Sequence, residues 1–214
     1  MNHEAGKMYL EYYAKVLLES LYPEIYTDIR NDESPDLRMG SDYGIEVTWA
    51  MFENQGQANG VLNRIRGKEI NQIDQRYVKT MDRIQTEIIT NSKGNVCGYM
   101  PKDAKNKASY TEMLLAYRKK KALQYETIKT DLFIYPPLAQ LDGWIGREQI
   151  GEFFEIIRDD SANPFGHLIV FEEPTLYLYD FMQKTMLLRR GTKEQITSCK
   201  LAADSYSGWS KRYS

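Results

Sequence analysis

One stretch of the sequence, SPDLRMGSDYGIEVTWA (34–50), constrains the fold more than any other. It predicts a strand, a turn rich in Gly, Ser and Asp, and a second strand in which apolar residues alternate with others. Successive side chains of a strand point to opposite faces, so Glu46 and Thr48 lie together, opposite Ile45. We therefore expect a β-hairpin whose second strand has one apolar and one polar face.

Two acidic residues of this hairpin are placed to hold a cation. Asp36 begins the first predicted strand, and Glu46 lies within the second. Mg²⁺ binds through one or two carboxylates and keeps waters that bridge to phosphate. The spacing predicts a site for Mg²⁺ or Mn²⁺ formed by Asp36 and Glu46, with the Val47 carbonyl as a third ligand. This chemistry favours metal-dependent cleavage of a phosphodiester.

The same residues resemble the motif of the PD-(D/E)xK nuclease superfamily. That motif is Pro-Asp, a variable gap, and then Asp or Glu, any residue and Lys; Pro35-Asp36 and Glu46-Val47 match it. The stretch GIEVTWA is also similar to variants in prokaryotic and phage members. The resemblance implies a restriction-endonuclease-like α/β fold, with a mixed central sheet flanked by helices. It also implies an endonuclease that uses Mg²⁺ or Mn²⁺ to cleave DNA, or RNA.

Thr48 stands where the motif has its lysine. In the family that lysine positions the attacking water and stabilises the charge that builds on the phosphate, a large catalytic contribution. A threonine hydroxyl binds water but carries no charge. Another element then supplies the cation, as in members with a migrated lysine, or the fold is an inactive module that binds nucleic acid or protein. In a third alternative, the chain is an unrelated α/β protein.

A helix predicted over 110–128 offers a substitute for the missing lysine. Lys121 falls within its apolar sector. A lysine there must either extend its aliphatic chain until the ammonium reaches water, or pair with a carboxylate. We predict that Lys121 reaches the site of Asp36 and Glu46. Lys68, which follows the hairpin in the chain, is a weaker candidate.

Four other lysines are predicted to contact nucleic acid: Lys119, Lys120, Lys105 and Lys107. The net charge of −2 argues against a protein that coats DNA, because phosphate neutralisation dominates such binding. A nuclease needs positive charge along only one cleft. The same lysines are also compatible with an ordinary solvated surface.

A first helix is predicted over 4–21 and ends before Pro23. In the resembled family this helix often supplies a further glutamate to the active site. Glu11 has the favoured position on the helix, and Glu19 is the second choice. The alternative for either residue is a solvated surface position.

The strongest helical periodicity in the chain spans 68–90, where apolar residues recur every three or four positions. A long helix with one apolar stripe must pack against something, either the sheet or its own copy in a homodimer. The sequence thus predicts one nuclease-like domain, 1–214, with a helical insertion over about 55–108 and a polar C-terminal tail over about 191–214.

The rest of the sequence limits the expected location of the protein and the metals it could bind. No apolar run approaches the roughly 20 residues of a membrane span, so no membrane partner is expected. Cys97 and Cys199 lie far apart without metal-type spacing, and we interpret them as reduced thiols of a cytoplasmic protein. The two histidines, His3 and His167, are too few for a histidine zinc site, and His167 is expected to be structural.

Overall fold

The computed structural model describes residues 3–50, 54–102, 110–125, 127, 129–136 and 147–208. Within these ranges the α-helices are α1 (His3–Leu21), α2 (Gln55–Ile65), α3 (Gln75–Arg83), α4 (Thr111–Lys121), α5 (Arg147–Ile157) and α6 (Lys193–Ser207). The strands are β1 (Arg30–Asn31), β2 (Leu37–Met39), β3 (Tyr43–Trp49), β4 (Thr86–Thr90), β5 (Val96–Pro101), β6 (Lys129–Tyr135), β7 (Phe165–Glu172), β8 (Thr175–Asp180) and β9 (Thr185–Arg190).

Seven of these strands form one mixed sheet in the order β1-β2-β3-β6-β7-β8-β9. The three central strands, β3, β6 and β7, run parallel, and the strands on either side pair antiparallel. Parallel strands need covered faces, and helices lie on both faces of this sheet. The predicted α/β class with a mixed central sheet between helices is confirmed.

The alternating side chains of β6 divide the core into two layers. Phe133 packs on the face covered by α1 and α6, whereas Leu132 and Ile134 pack on the face of α4 and α5. All three side chains are fully buried. The strand β3 follows the same rule, because Ile45 and Val47 belong to the α1 layer. Glu46 therefore points to the α4 face, as the alternation predicted.

The predicted long helix over 68–90 is wrong. The segment forms a 3-10 helix (Ile70–Gln72), then α3, then the strand β4. Asp74 starts α3 by accepting a hydrogen bond from the Arg76 amide, and Gln85, at a φ of 54°, breaks the helical path after it. The Thr- and Ile-rich run that follows suits a strand.

The apolar stripe of this segment packs inside a small separate core. That core is shared by α2, α3, β4 and β5, and it includes Ala58, Leu62, Ile65, Met81 and Val96. We call the segment 54–102 the inserted unit. The segment 68–90 is not one helix, and Ile73, Met81 and Ile84 of its stripe are buried within the unit while Ile70 is exposed. The continuous helical surface on which the predicted homodimer rested is therefore not formed by this segment.

The predicted polar tail over 191–214 is also wrong as far as it is described, through residue 208. The strand β9 precedes it, and α6 then packs against α1 with Ile196, Cys199 and Ala203 buried. A capping box starts α6: Thr192 Oγ1 accepts from the Gln195 amide, and Gln195 Oε1 accepts from the Thr192 amide.

Replacing Thr192 by alanine is expected to lower the free energy of unfolding by about 1 kcal/mol, because the helix loses its side-chain cap. Thr197→Ala is a matched control, since Thr197 is exposed in the middle of α6. Urea unfolding measures both variants. Equal stability of the two variants would contradict this account of how α6 begins.

A buried polar cluster ties the starts of β3, β6 and β7 together. Asp131 is completely buried and accepts hydrogen bonds from the hydroxyls of Tyr26 and Tyr43, both at 2.6 Å. The amide of His167 donates to the same carboxylate at 2.8 Å, and the His167 ring lies between Asp131 and Asp180. His167 is thus a structural residue of the sheet.

Stability is expected to depend on pH through His167. Burial lowers its pKa, but the hydrogen bond to Asp131 and the charges of Asp131 and Asp180 outweigh burial, so its pKa is raised. Protonated His167 therefore stabilises the folded state below the unfolded pKa of about 6.5, and this contribution is lost as pH rises through the folded pKa. Urea unfolding should show the stability gap between wild type and His167→Gln shrinking above pH 6.5. A gap that stays constant would contradict this assignment.

Among the described residues, no helix is both long and apolar enough to cross a membrane. The two cysteines are free: Cys97 is exposed, and Cys199 is buried between α6 and α1.

Candidate active site

Three acidic residues from different parts of the chain meet beside β3, at the point where β2 begins. Glu11 comes from α1, Asp36 directly precedes β2, and Glu46 lies in β3. Their exposed fractions are only 9%, 4% and 7%. Buried carboxylates are rare unless they are paired, so this cluster marks a special environment.

The hairpin fixes the position of Asp36. The Val47 amide donates a hydrogen bond to Asp36 Oδ2 at 2.9 Å, next to the point where β2 begins to pair with β3. Pro35 packs tightly on Gly44, since a Cβ there would lie 2.2 Å from Pro35 Cγ. Any larger residue at position 44 would push the Pro-Asp segment away from β3.

The same hydrogen bond shows which way the Val47 carbonyl points. In an extended strand the N–H and C=O of one residue face the same edge, because paired residues exchange both bonds. The Val47 carbonyl therefore faces the side on which Asp36 lies. Backbone geometry thus brings the predicted third oxygen toward the carboxylates.

Lys7 bridges two of the three acids. Its ammonium lies 3.2 Å from Glu11 Oε1 and 3.2 Å from Asp36 Oδ1. Sequence reasoning missed Lys7, although it stands four residues before Glu11, the spacing at which helical side chains meet. The Lys7 side chain is 57% exposed, so its ammonium is free to move toward solvent.

Lys120, from the last turn of α4, forms the other ion pair of the site. Its ammonium contacts Glu46 Oε1, and both side chains are largely buried. The prediction that Lys121 fills this position is wrong, because Lys121 binds Asp160, which follows α5. Asp160 also accepts a hydrogen bond from Tyr117.

The error about Lys121 comes from the length of its helix. The predicted helix ran to residue 128, but α4 ends at Lys121, so residues beyond it do not define its buried face. Met113 and Tyr117 are the apolar residues buried by α4. Lys120 follows them by seven and three positions, and i+3 and i+7 positions share one face of a helix.

The pKa values of Glu11 and Glu46 are raised by their surroundings. Burial raises the pKa of Glu11 to about 7, helped by the nearby charge of Asp36 and opposed by Lys7. Burial and Asp36 likewise raise the pKa of Glu46, and Lys120 opposes them. The pKa of Lys7 is raised, because its two acidic partners outweigh the effect of burial. Three buried acids thus share two lysines.

Among the described residues, no group of three or more His, Cys, Asp or Glu side chains is arranged so that it could hold a metal ion. Mg²⁺ differs, because it uses one or two carboxylates and keeps several waters. Asp36, Glu46 and the Val47 carbonyl beside β3 are oxygen ligands of that kind.

The other predicted residues lie apart from the site or outside the described ranges. Lys119 is exposed on α4, and Lys68 belongs to the inserted unit. Glu19 pairs with Lys15 and accepts the Ile29 amide, so it holds the chain after α1. Lys105 and Lys107 lie outside the described residues.

Comparison of the chain with protein-family models, with curated proteins and with solved structures finds no significant match. The resemblance to the nuclease motif therefore rests on the residues themselves. What the site can do follows from its geometry.

Proposed function

We propose that this protein is a metal-dependent phosphodiester hydrolase of the PD-(D/E)xK type that cleaves DNA. The convergence of Glu11, Asp36 and Glu46 carries the proposal. Asp36 and Glu46 come from the motif hairpin, and Glu11 comes from the first helix, 25 residues before Asp36. Their meeting in one buried cluster is what a shared site requires.

The ion pair between Lys120 and Glu46 supports catalysis in spite of Thr48. A charged ammonium stands beside the motif glutamate, supplied by α4 rather than by β3. This corresponds to a migrated lysine. Preorganised positive charge next to a reacting phosphate is a large catalytic contribution.

Each residue of the site has a role in the proposed reaction. Asp36, Glu46 and the Val47 carbonyl would hold Mg²⁺ or Mn²⁺, which would supply Lewis acidity and lower the pKa of a bound water. Lys120 would orient the attacking water and stabilise the charge on the phosphate. Lys7, which contacts Asp36 Oδ1, would give way to the dication, and Glu11 would accept hydrogen bonds from nearby waters.

The order of elements around the site is compatible with a restriction-endonuclease-like core. The helix α1 precedes the antiparallel strands β1, β2 and β3, and α4 then leads to β6, which pairs parallel with β3. The inserted unit falls between β3 and α4, where it does not interrupt the sheet.

Plasmid nicking tests the proposal. Supercoiled DNA should be converted to nicked and linear forms in Mg²⁺ or Mn²⁺, and EDTA should stop the reaction. Labelled single-stranded RNA serves as the second substrate. If neither nucleic acid is cleaved in either metal, the hydrolase proposal fails and the inactive binding module remains.

A further inference from the structure

The inserted unit differs in charge from the rest of the molecule. Residues 54–102 contain eight Lys and Arg against four Asp and Glu, whereas the whole chain has 28 against 30. A unit with a net charge of +4 is thus joined to a remainder of −6. Clustered positive charge on one part of an acidic protein is typical of a surface that binds a negatively charged partner.

Within this unit, the positive charge borders a cleft of about 430 Å³ between α2 and α3. Arg64 lies in the last turn of α2, and Arg76 lies in the first turn of α3. Tyr77 stands between them, and Gln57 and Thr80 add polar groups to the walls. The cleft is therefore lined by two guanidiniums, an aromatic ring and neutral hydrogen-bonding side chains.

The two arginines converge on one point. Arg76 Nη2 donates to the Tyr77 hydroxyl at 3.2 Å, and its guanidinium lies 4.8 Å from the centre of the Tyr77 ring. Burial raises the pKa of Tyr77, but hydrogen bonds from Arg64 and Arg76 outweigh burial, so the pKa is lowered. Asp74 pairs with Arg76 Nε at 3.0 Å. Among the described residues that line the cleft, the charged ones are Arg64 and Arg76, and both are positive.

We infer that the cleft between α2 and α3 binds the phosphodiester backbone of a nucleic acid strand, and that the inserted unit holds the substrate of the carboxylate site. Guanidiniums match the fork geometry of phosphate oxygens better than any other side chain. A tyrosine beside them offers a stacking surface for a base. The identity of the strand as substrate rests on the proposed hydrolase function.

Oligonucleotide binding by the full-length protein tests this inference. Fluorescein-labelled single-stranded DNA, RNA of the same sequence and duplex DNA, each of 20 nucleotides per strand, are titrated in EDTA so that no cleavage occurs. The double variant Arg64→Gln/Arg76→Gln should bind its best probe at least about tenfold more weakly at 0.1 M salt. The slope of log affinity against log salt should fall by about 1.4 for a single strand, since each lost phosphate contact removes about 0.7.

A matched double variant removes equal charge from the same unit outside the cleft. Arg83→Gln/Lys93→Gln changes exposed residues at the end of α3 and in the turn between β4 and β5. It should bind within about threefold of wild type. Equal losses in both double variants, unchanged affinity in the cleft variant, or no binding by wild type would overturn the inference.

Cleavage kinetics separate this inference from the hydrolase proposal. If the protein cleaves DNA, the cleft variant should raise KM and leave kcat unchanged. Cleft-dependent binding without any cleavage would refute the hydrolase and keep the binding site. If the protein cleaves DNA and the cleft variant has the KM of wild type, the hydrolase proposal stands and the cleft inference fails.

Discussion

The variant Glu46→Gln is expected to lose metal-dependent cleavage by about a thousandfold or more. The substitution keeps the shape of the side chain but removes the negative charge that holds the dication. Metal catalysis contributes several kcal/mol to the transition state, and each 1.36 kcal/mol is a factor of ten in rate. Asp36→Asn should cause a loss of the same order, because Asp36 is the second carboxylate of the proposed site.

Control variants distinguish lost chemistry from lost folding. Glu33→Gln changes an exposed acid just before Pro35 and should cleave like wild type. Urea unfolding of Glu46→Gln should remain cooperative, because the change removes one of three mutually repelling acids. Cleavage by folded Glu46→Gln at the wild-type rate would remove Glu46 from the metal site.

The variant Lys120→Met is expected to lower kcat by about a hundredfold to a thousandfold, the usual cost of removing one preorganised transition-state contact. The neutral side chain has similar length and packs in the same space. Because Lys120 pairs with Glu46, its loss leaves Glu46 freer to bind a cation, so the affinity for Mn²⁺ should not fall. Turnover at saturating DNA and metal measures the first effect, and calorimetry the second.

The two neighbouring lysines give matched controls for this variant. Lys119→Met alters an exposed residue and should keep kcat within about threefold of wild type. Lys121→Met breaks the pair with Asp160 and should lower stability rather than kcat. A strong loss of kcat in Lys121→Met, with Lys120→Met active, would restore the assignment made from sequence.

Local rules in the sequence were enough to predict that Asp36 lies beside Glu46. Proline before Asp36, the turn residues and the alternation around Glu46 describe a hairpin within 34–50, and a hairpin brings its own strands together. Glu11 came from the resemblance to the nuclease family and not from any local rule. Its approach to Asp36 depends on how α1 packs on the sheet.

The role of Lys120 was harder to predict, because the buried face of α4 depends on where that helix ends. Helix ends are poorly marked in the segment after Lys121, and seven extra residues were enough to shift the inferred buried face from Lys120 to Lys121. The helix α6 was missed because its apolar residues are sparse. Its capping box, Thr192 with Gln195, was a readable signal that its start was near.

The inserted unit shows how periodicity can mislead. Apolar residues spaced by three or four over 68–90 predicted one long helix, but the stripe spans a 3-10 helix, α3 and β4. Most of the stripe, from Ile73 through α3 to Ile88 of β4, packs into one small core, whereas Ile70 of the 3-10 helix is exposed. The hydrophobic effect depends on the apolar area removed from water and not on the backbone conformation. Different secondary structures can therefore bury the same apolar side chains.

Crystals of the wild-type protein soaked in MnCl₂ give the most direct test of the central claim, that Asp36 and Glu46 hold one dication. Anomalous scattering should place a single manganese within about 2.5 Å of Asp36 and Glu46 oxygens and of the Val47 carbonyl, a distance typical of hard cations. The Lys7 ammonium should have moved away from Asp36. Manganese absent from this cluster at saturating concentration, with Lys7 still bridging Glu11 and Asp36, would contradict the account.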